Sequence, residues 1–213
     1  MKTKVTLETL KSREKEARRD IIIDAAERVF ATKPYDKASM REIAVESGMS
    51  TSSIYRFFPN QEALLVAAAV RATKYFNNIM EKVIKDNEPK RAFEIMVDSF
   101  IEFISQNDAF FSMMTILMSQ GNLNPVSGKA IASVMNRSLD LMDTLFHNMG
   151  FTNNTRMLSR HLYTSLMGII VSYNKLPRSN REDVVQLMKR LARMSYQFIL
   201  NCPEENLKVL LRQ

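Results

Sequence analysis

Tryptophan is absent, cysteine occurs once, and only 5 glycines and 6 prolines are spread over 213 residues. Each scarcity excludes something. A lone Cys202 can form neither an intramolecular disulfide nor a thiolate metal cluster. So few helix breakers, with Met, Leu, Ala and Ile abundant and alternating polar-apolar stretches hard to find, leave an all-α protein as the expectation. Long apolar runs are missing too: the longest, 63–70, is far short of the roughly 20 residues needed to span a bilayer. With a polar, mixed-charge N-terminus, this predicts a soluble, cytoplasmic protein without a membrane partner. Catalytic equipment is equally sparse. His147 and His161 fall on different predicted helices, and no glycine loop for phosphate, His-x-x-Glu pair or acidic metal motif accompanies them. Neither an enzyme, nor a cofactor, nor a metal is expected.

What is present begins with 46% hydrophobic residues, ample for a packed core, and a net charge of +7 that suits a polyanionic partner. Near the N-terminus, Lys2, Lys4, Lys11, Arg13, Lys15, Arg18 and Arg19 face only Glu8, Glu14 and Glu16. That is the composition of a basic arm, of the kind that follows phosphates or a minor groove; a solvated tail would read the same way.

The most specific stretch is MREIAVESGMSTSSIYRFFP, residues 40–59. Ala44 supplies the small residue where two helices cross, Gly48 the turn, and Ile54 the apolar anchor of the second helix, the spacing of a helix-turn-helix. Ser39 with Glu42 forms a capping box that starts one helix at Met40, and the next runs over 51–57. Its polar side carries Ser50, Thr51, Ser52, Ser53 and Arg56: hydroxyls that cap amides or approach phosphates, and an arginine for phosphate or guanine. Phe30, Tyr35, Ile43, Ile54, Tyr55 and Phe58 are the predicted core, joined by Leu64 and Leu65.

Caps and breakers segment the rest. A first helix over about 15–32 is stopped by Pro34, and Asn60 caps a fourth running to about Lys85. Pro89 opens a fifth, ending near Ser105, and Asn107 a sixth, stopped by Gly121. A seventh starts at Asn124 and Pro125 and ends at Gly150; an eighth spans about 154–175. Ser179 with Glu182 caps a ninth to about Asn201, and a stub over 203–211 completes nine or ten helices.

Residues 18–68 resemble the DNA-binding half of the tetracycline-repressor-like (TetR/AcrR) transcriptional regulators, through Tyr35, the turn Gly48, the Tyr55-x-x-Phe58 pair and the Pro59 to Leu65 entry into the fourth helix. The resemblance implies two domains: a basic arm and helix-turn-helix over 1–62, then a helical ligand-sensing and dimerising domain over 63–213. It implies DNA contacts at Arg18, Arg19, Ser39, Met40, Arg41, Ser50, Thr51, Ser52, Ser53, Tyr55, Arg56, Phe57 and Gln61. Three positions depart from the family pattern: Pro34 stands for a glycine, Phe57 for a histidine and Gln61 for a lysine, so fewer charged DNA contacts are expected.

Methionine is plentiful, at 15 residues, and a methionine-rich cavity adapts to apolar ligands of varied shape. Phe93, Met96, Phe100, Phe111, Met114, Met118, Met135, Met142, Phe146, His161, Met167 and Tyr173 are the candidate ligand-binding residues, although Met and Phe at helical spacing also make ordinary core. The implied function is a homodimeric regulator, a repressor released from a palindromic double-stranded operator by a small apolar or amphipathic inducer, pairing through the eighth and ninth helices. The competing reading is a protein-interaction module whose helix-turn-helix no longer binds DNA.

Overall fold

A computed structural model describes residues 6–33, 35–119, 123–152, 154–174 and 180–201. Among them are nine α-helices: α1 Leu7–Thr32, α2 Met40–Ser47, α3 Thr51–Phe57, α4 Gln61–Asp86, α5 Pro89–Gln106, α6 Asp108–Ser119, α7 Pro125–Asn148, α8 Thr155–Tyr173 and α9 Arg181–Leu200. A 3-10 turn at Tyr35–Lys37 precedes α2. The all-helical expectation holds, and most helix ends lie within two residues of their predicted positions. Pro34, Gly121, Ser179, Cys202 and the stub over 203–211 lie outside the described residues, as do Lys2 and Lys4.

The start of α1 differs most. α1 begins at Leu7, eight residues before its predicted start, on a Thr6 cap whose hydroxyl accepts from the Thr9 amide. What reads as an arm is helix from Leu7 onward, although every residue from Thr6 to Ile21 is exposed. α9 starts at Arg181 on an Asn180 cap, whose Oδ1 accepts from the Glu182 amide at 3.3 Å.

The helices divide into two compact units. The first comprises residues 1–72 with 109–131, the second 73–108 with 132–213. The division falls inside α4, beyond the 62/63 boundary expected from sequence, and α6 with the start of α7 joins the N-terminal helices. The reason is packing and hydrogen bonding. Leu64 and Leu65 at the start of α4 are fully buried, and the Glu62 carboxylate accepts from the Asn124 amide at 3.2 Å and from the Asn124 side chain. Asn124 in turn caps α7 by accepting from the Ser127 amide at 3.0 Å.

In the first unit Ile22, Ile23, Ala26 and Phe30 of α1 form the buried stripe with Ile43, Ala44, Ile54 and Phe58. Arg71 of α4 binds back to α1, meeting Asp24 at 2.7 Å and Glu27 at 2.9 Å. Burial disfavours its charge, but those two carboxylates more than compensate and hold its pKa above the ordinary value.

The second unit is centred on aromatics. Phe93 of α5 packs edge-on against Phe146 of α7 at 5.3 Å and against Tyr196 of α9 at 5.1 Å between ring centroids. Met96, Met142 and Met167 of the same unit are buried as well. On the flank of α5, Arg193 of α9 meets Asp98 at 2.5 Å and the largely buried Lys189 pairs with Glu102.

Candidate nucleic-acid interface

The α2–α3 hairpin is fixed by three local devices. First, the Ser39 hydroxyl accepts from the Glu42 amide at 3.2 Å while Glu42 Oε2 accepts from the Ser39 amide at 3.0 Å, closing the capping box. Second, Gly48 ends α2 in the left-handed region at φ 67°; its amide donates to Val45 and that of Met49 to Ala44, both carbonyls of the last turn. A Cβ at Gly48 would meet nothing within 4 Å, so glycine is required there by backbone angle and not by space. Third, the Ser50 hydroxyl accepts from the Ser53 amide at 3.2 Å and caps α3.

Glu42 does double duty, since Lys33 Nζ also reaches its carboxylate at 2.6 Å. Hydrogen bonds from Lys33 and Ser39 hold its carboxyl below the usual 4.5. A carboxyl with a lowered folded pKa adds stability above its unfolded value, and that contribution is lost as pH falls through the folded one. The melting temperature of the native chain should therefore exceed that of Glu42→Gln at pH 7, and the gap should close as the pH drops below the usual carboxylate range. Thermal scans across pH 3–7 that leave the gap constant would contradict this.

With Ile54 and Phe58 turned inward, α3 presents Ser50, Ser52, Tyr55 and Arg56 as exposed residues, with Thr51, Ser53 and Phe57 half-buried. Tyr55 is 52% exposed and is no part of the core predicted for it. It follows Ile54 by one residue, about 100° around the helix axis, and that turn carries it to the exposed side of α3. Arg56 and Arg41 have no ion-pair partner among the described residues. Met40, by contrast, buries its side chain, and what α2 offers at that end is the exposed Arg41.

The remaining candidates are engaged within the unit. The Arg19 guanidinium lies 5.1 Å from the centre of the Phe58 ring, and Arg18 meets Glu14 at 2.6 Å. Gln61 donates to the Tyr35 carbonyl at 2.9 Å, fastening the start of α4 to the turn before α2. Sequence reasoning missed that tie and the Arg71 clamp. Glutamine and arginine at helix positions carry no mark of a partner 26 or more residues away.

The twelve ligand candidates fall into separate settings. Phe93, Met96, Phe100, Met142, Phe146 and Met167 are buried together in the second unit, whereas Phe111 and Met114 are buried in the first. Met135 and Tyr173 are half-buried, and Met118 and His161 are exposed. Tyr163, beside Phe100 at 6.0 Å between ring centroids, has its phenol pushed up from the ordinary value by burial.

Comparison with known proteins now bears directly on the hairpin. Residues 22–68 match the family of bacterial regulatory proteins described as the tetR family. That match spans α2, the Gly48 turn, α3 and the start of α4. An uncharacterized HTH-type transcriptional regulator of Mycobacterium tuberculosis is 32% identical over 107 residues, covering 50% of this chain and 53% of that one. The fatty acid metabolism regulator protein of Bacillus subtilis is 25% identical over 103 residues, covering 48% and 53%. The chain thus spans about half the length of these curated relatives. Among solved structures, the transcriptional regulator FadR of Bacillus subtilis in complex with stearoyl-CoA superimposes with a TM-score of 0.70 at 18% identity, over 82% of this chain and 96% of that one. The tetR-family repressor FadR of Thermus thermophilus, in complex with lauroyl-CoA, gives 0.66 at 14% identity, over 85% and 93%. At such identities the likeness establishes a shared fold.

Proposed function

We propose that this chain is a homodimeric transcriptional repressor that binds a palindromic operator and leaves it when an amphipathic ligand with an apolar chain occupies the second unit. The observation that carries the DNA-binding half is the tetR-family hairpin itself, whose apolar side is buried while Tyr55, Arg56 and the serine hydroxyls stand exposed. Two such helices reading successive major grooves need centres about 34 Å apart, which requires two copies of the chain.

Support for pairing through α8 and α9 comes from their outer faces. Along α8, Met157, His161, Thr164, Gly168 and Val171 are all exposed, at alternating spacings of four and three residues. Along α9, the half-exposed Leu187 and Leu191 continue into Met194, 56% exposed, and Phe198, 74% exposed, at the same spacings. A seam at that period is what helix-on-helix association needs. For the ligand, the support is the Met- and Phe-rich core of the second unit, together with the acyl-CoA molecules named in the two related structures.

The test is operator selection from a random duplex pool, followed by titration of the selected duplex with the full chain. Specific binding of two chains per site, relieved by a long-chain acyl-CoA, is expected. Recovery of no enriched sequence would favour the interaction-module reading. Binding unaffected by acyl-CoA would move the ligand to another class.

A further inference from the structure

The helical turns of α1 from Leu7 to Arg18 are exposed throughout, yet their charges are not scattered. Lys11, Glu14, Lys15 and Arg18 stand at i, i+3, i+4 and i+7, hence on one side of the helix. That side lines an open groove of about 600 Å³, whose far wall is the α2–α3 turn and α3, including Ser50, Ser53 and Arg56. Lys11, Lys15 and Arg56 have no ion-pair partner among the described residues. Four cations therefore face one groove against a single anion, Glu14, and that anion already holds Arg18 at 2.6 Å.

We propose that this groove seats one phosphodiester strand of a DNA duplex, gripped by Lys11, Lys15 and Arg18 from α1 and by Arg56 and Ser53 from α3, with Glu14 limiting the grip by competing for Arg18. The proposal rests on the DNA-binding reading above and adds a second wall to it. From Lys11 to Arg18 the helix rises ~10 Å, enough to spread the cations over more than one phosphate. Ammonium and guanidinium groups without partners meet phosphate without first giving up an ion pair. Arg18 must exchange Glu14 for phosphate, which an exposed pair of adjacent helical turns permits because such pairs are weak. Sequence independence follows, since this wall touches backbone and no base edge.

The experiment measures binding of the full-length chain to a 30-base-pair duplex of mixed sequence by fluorescence anisotropy, from 50 to 300 mM KCl. Each lost phosphate contact should flatten the plot of log affinity against log salt by about one unit. Lys15→Gln is expected to lower the slope by about one and weaken binding several-fold at low salt. Arg13→Gln, which removes the same charge from the same helix outside the groove, should leave the slope unchanged. Glu14→Gln should tighten binding about 3- to 10-fold by releasing Arg18. Equal effects of Lys15→Gln and Arg13→Gln, or a Glu14→Gln variant that binds no better, would overturn the groove while leaving the DNA-binding reading standing. A native chain that binds duplex at no salt concentration would overturn both.

Discussion

Replacing Phe198 by glutamate is expected to turn the proposed dimer into a monomer. Its ring is 74% exposed in the single chain, at the end of the α9 seam formed with Leu187, Leu191 and Met194. Taking such a ring out of water contributes roughly 1.5–3 kcal/mol, and a two-fold interface counts it twice. A loss of ~3–6 kcal/mol weakens association by roughly 10²- to 10⁴-fold, before the cost of confining two carboxylates is added. Sedimentation equilibrium across a concentration series reads the shift directly. Because the site lies on an outer face, the monomer should keep its helix content, and an Arg193→Ala variant, which breaks the ion pair to Asp98 within the unit, should leave the dimer intact. A Phe198→Glu chain as dimeric as the native one would place the interface elsewhere.

The second large effect is expected at Tyr55, and it should separate reading from folding. Tyr55→Ala removes a half-exposed phenol ring beside Arg56 and leaves the packing of Ile54 and Phe58 untouched. Aromatic residues at the centre of an interface commonly dominate its energetics, so operator affinity should fall about 10- to 100-fold, or ~1.4–2.8 kcal/mol, with the melting temperature unmoved. Its neighbour gives the opposite result. Ile54→Ala empties a fully buried position and should cost ~2–5 kcal/mol of stability, lowering affinity only through the fraction folded. Titration of the selected operator alongside thermal unfolding distinguishes the two. Loss of stability in Tyr55→Ala, or unchanged affinity, would remove that residue from the proposed contact surface.

Much of the hairpin was legible because its determinants are local. Ser39 with Glu42 and the positive φ at Gly48 act within five residues, so the ends of α2 follow directly from the letters. The start of α1 was not legible for the complementary reason. Its exposed turns bury no face and so show no apolar period, and their cap is Thr6 with Thr9 in place of the more familiar acidic partner. The division of α4 between two units was hidden because the helix continues through it unbroken, and the tie of Glu62 to Asn124 within the first unit spans 62 positions. Tyr55 was assigned both to the core and to the contact surface, and only its exposure in the folded chain separates the two roles. The ligand candidates illustrate the limit of side-chain chemistry alone: Met114 and Met142 look alike as letters yet belong to different units.

Gly168 lies mid-way along the outer face of α8, where a Cβ would encounter no atom of its own chain. Bare backbone at that point is an invitation to intimacy between neighbours, since the usual separation of packed helices is set by what their side chains occupy. The folded single chain has no need of such thrift, and alanine would even suit the helix better. In the pairing proposed above, a second copy lying along α8 would use the room left there.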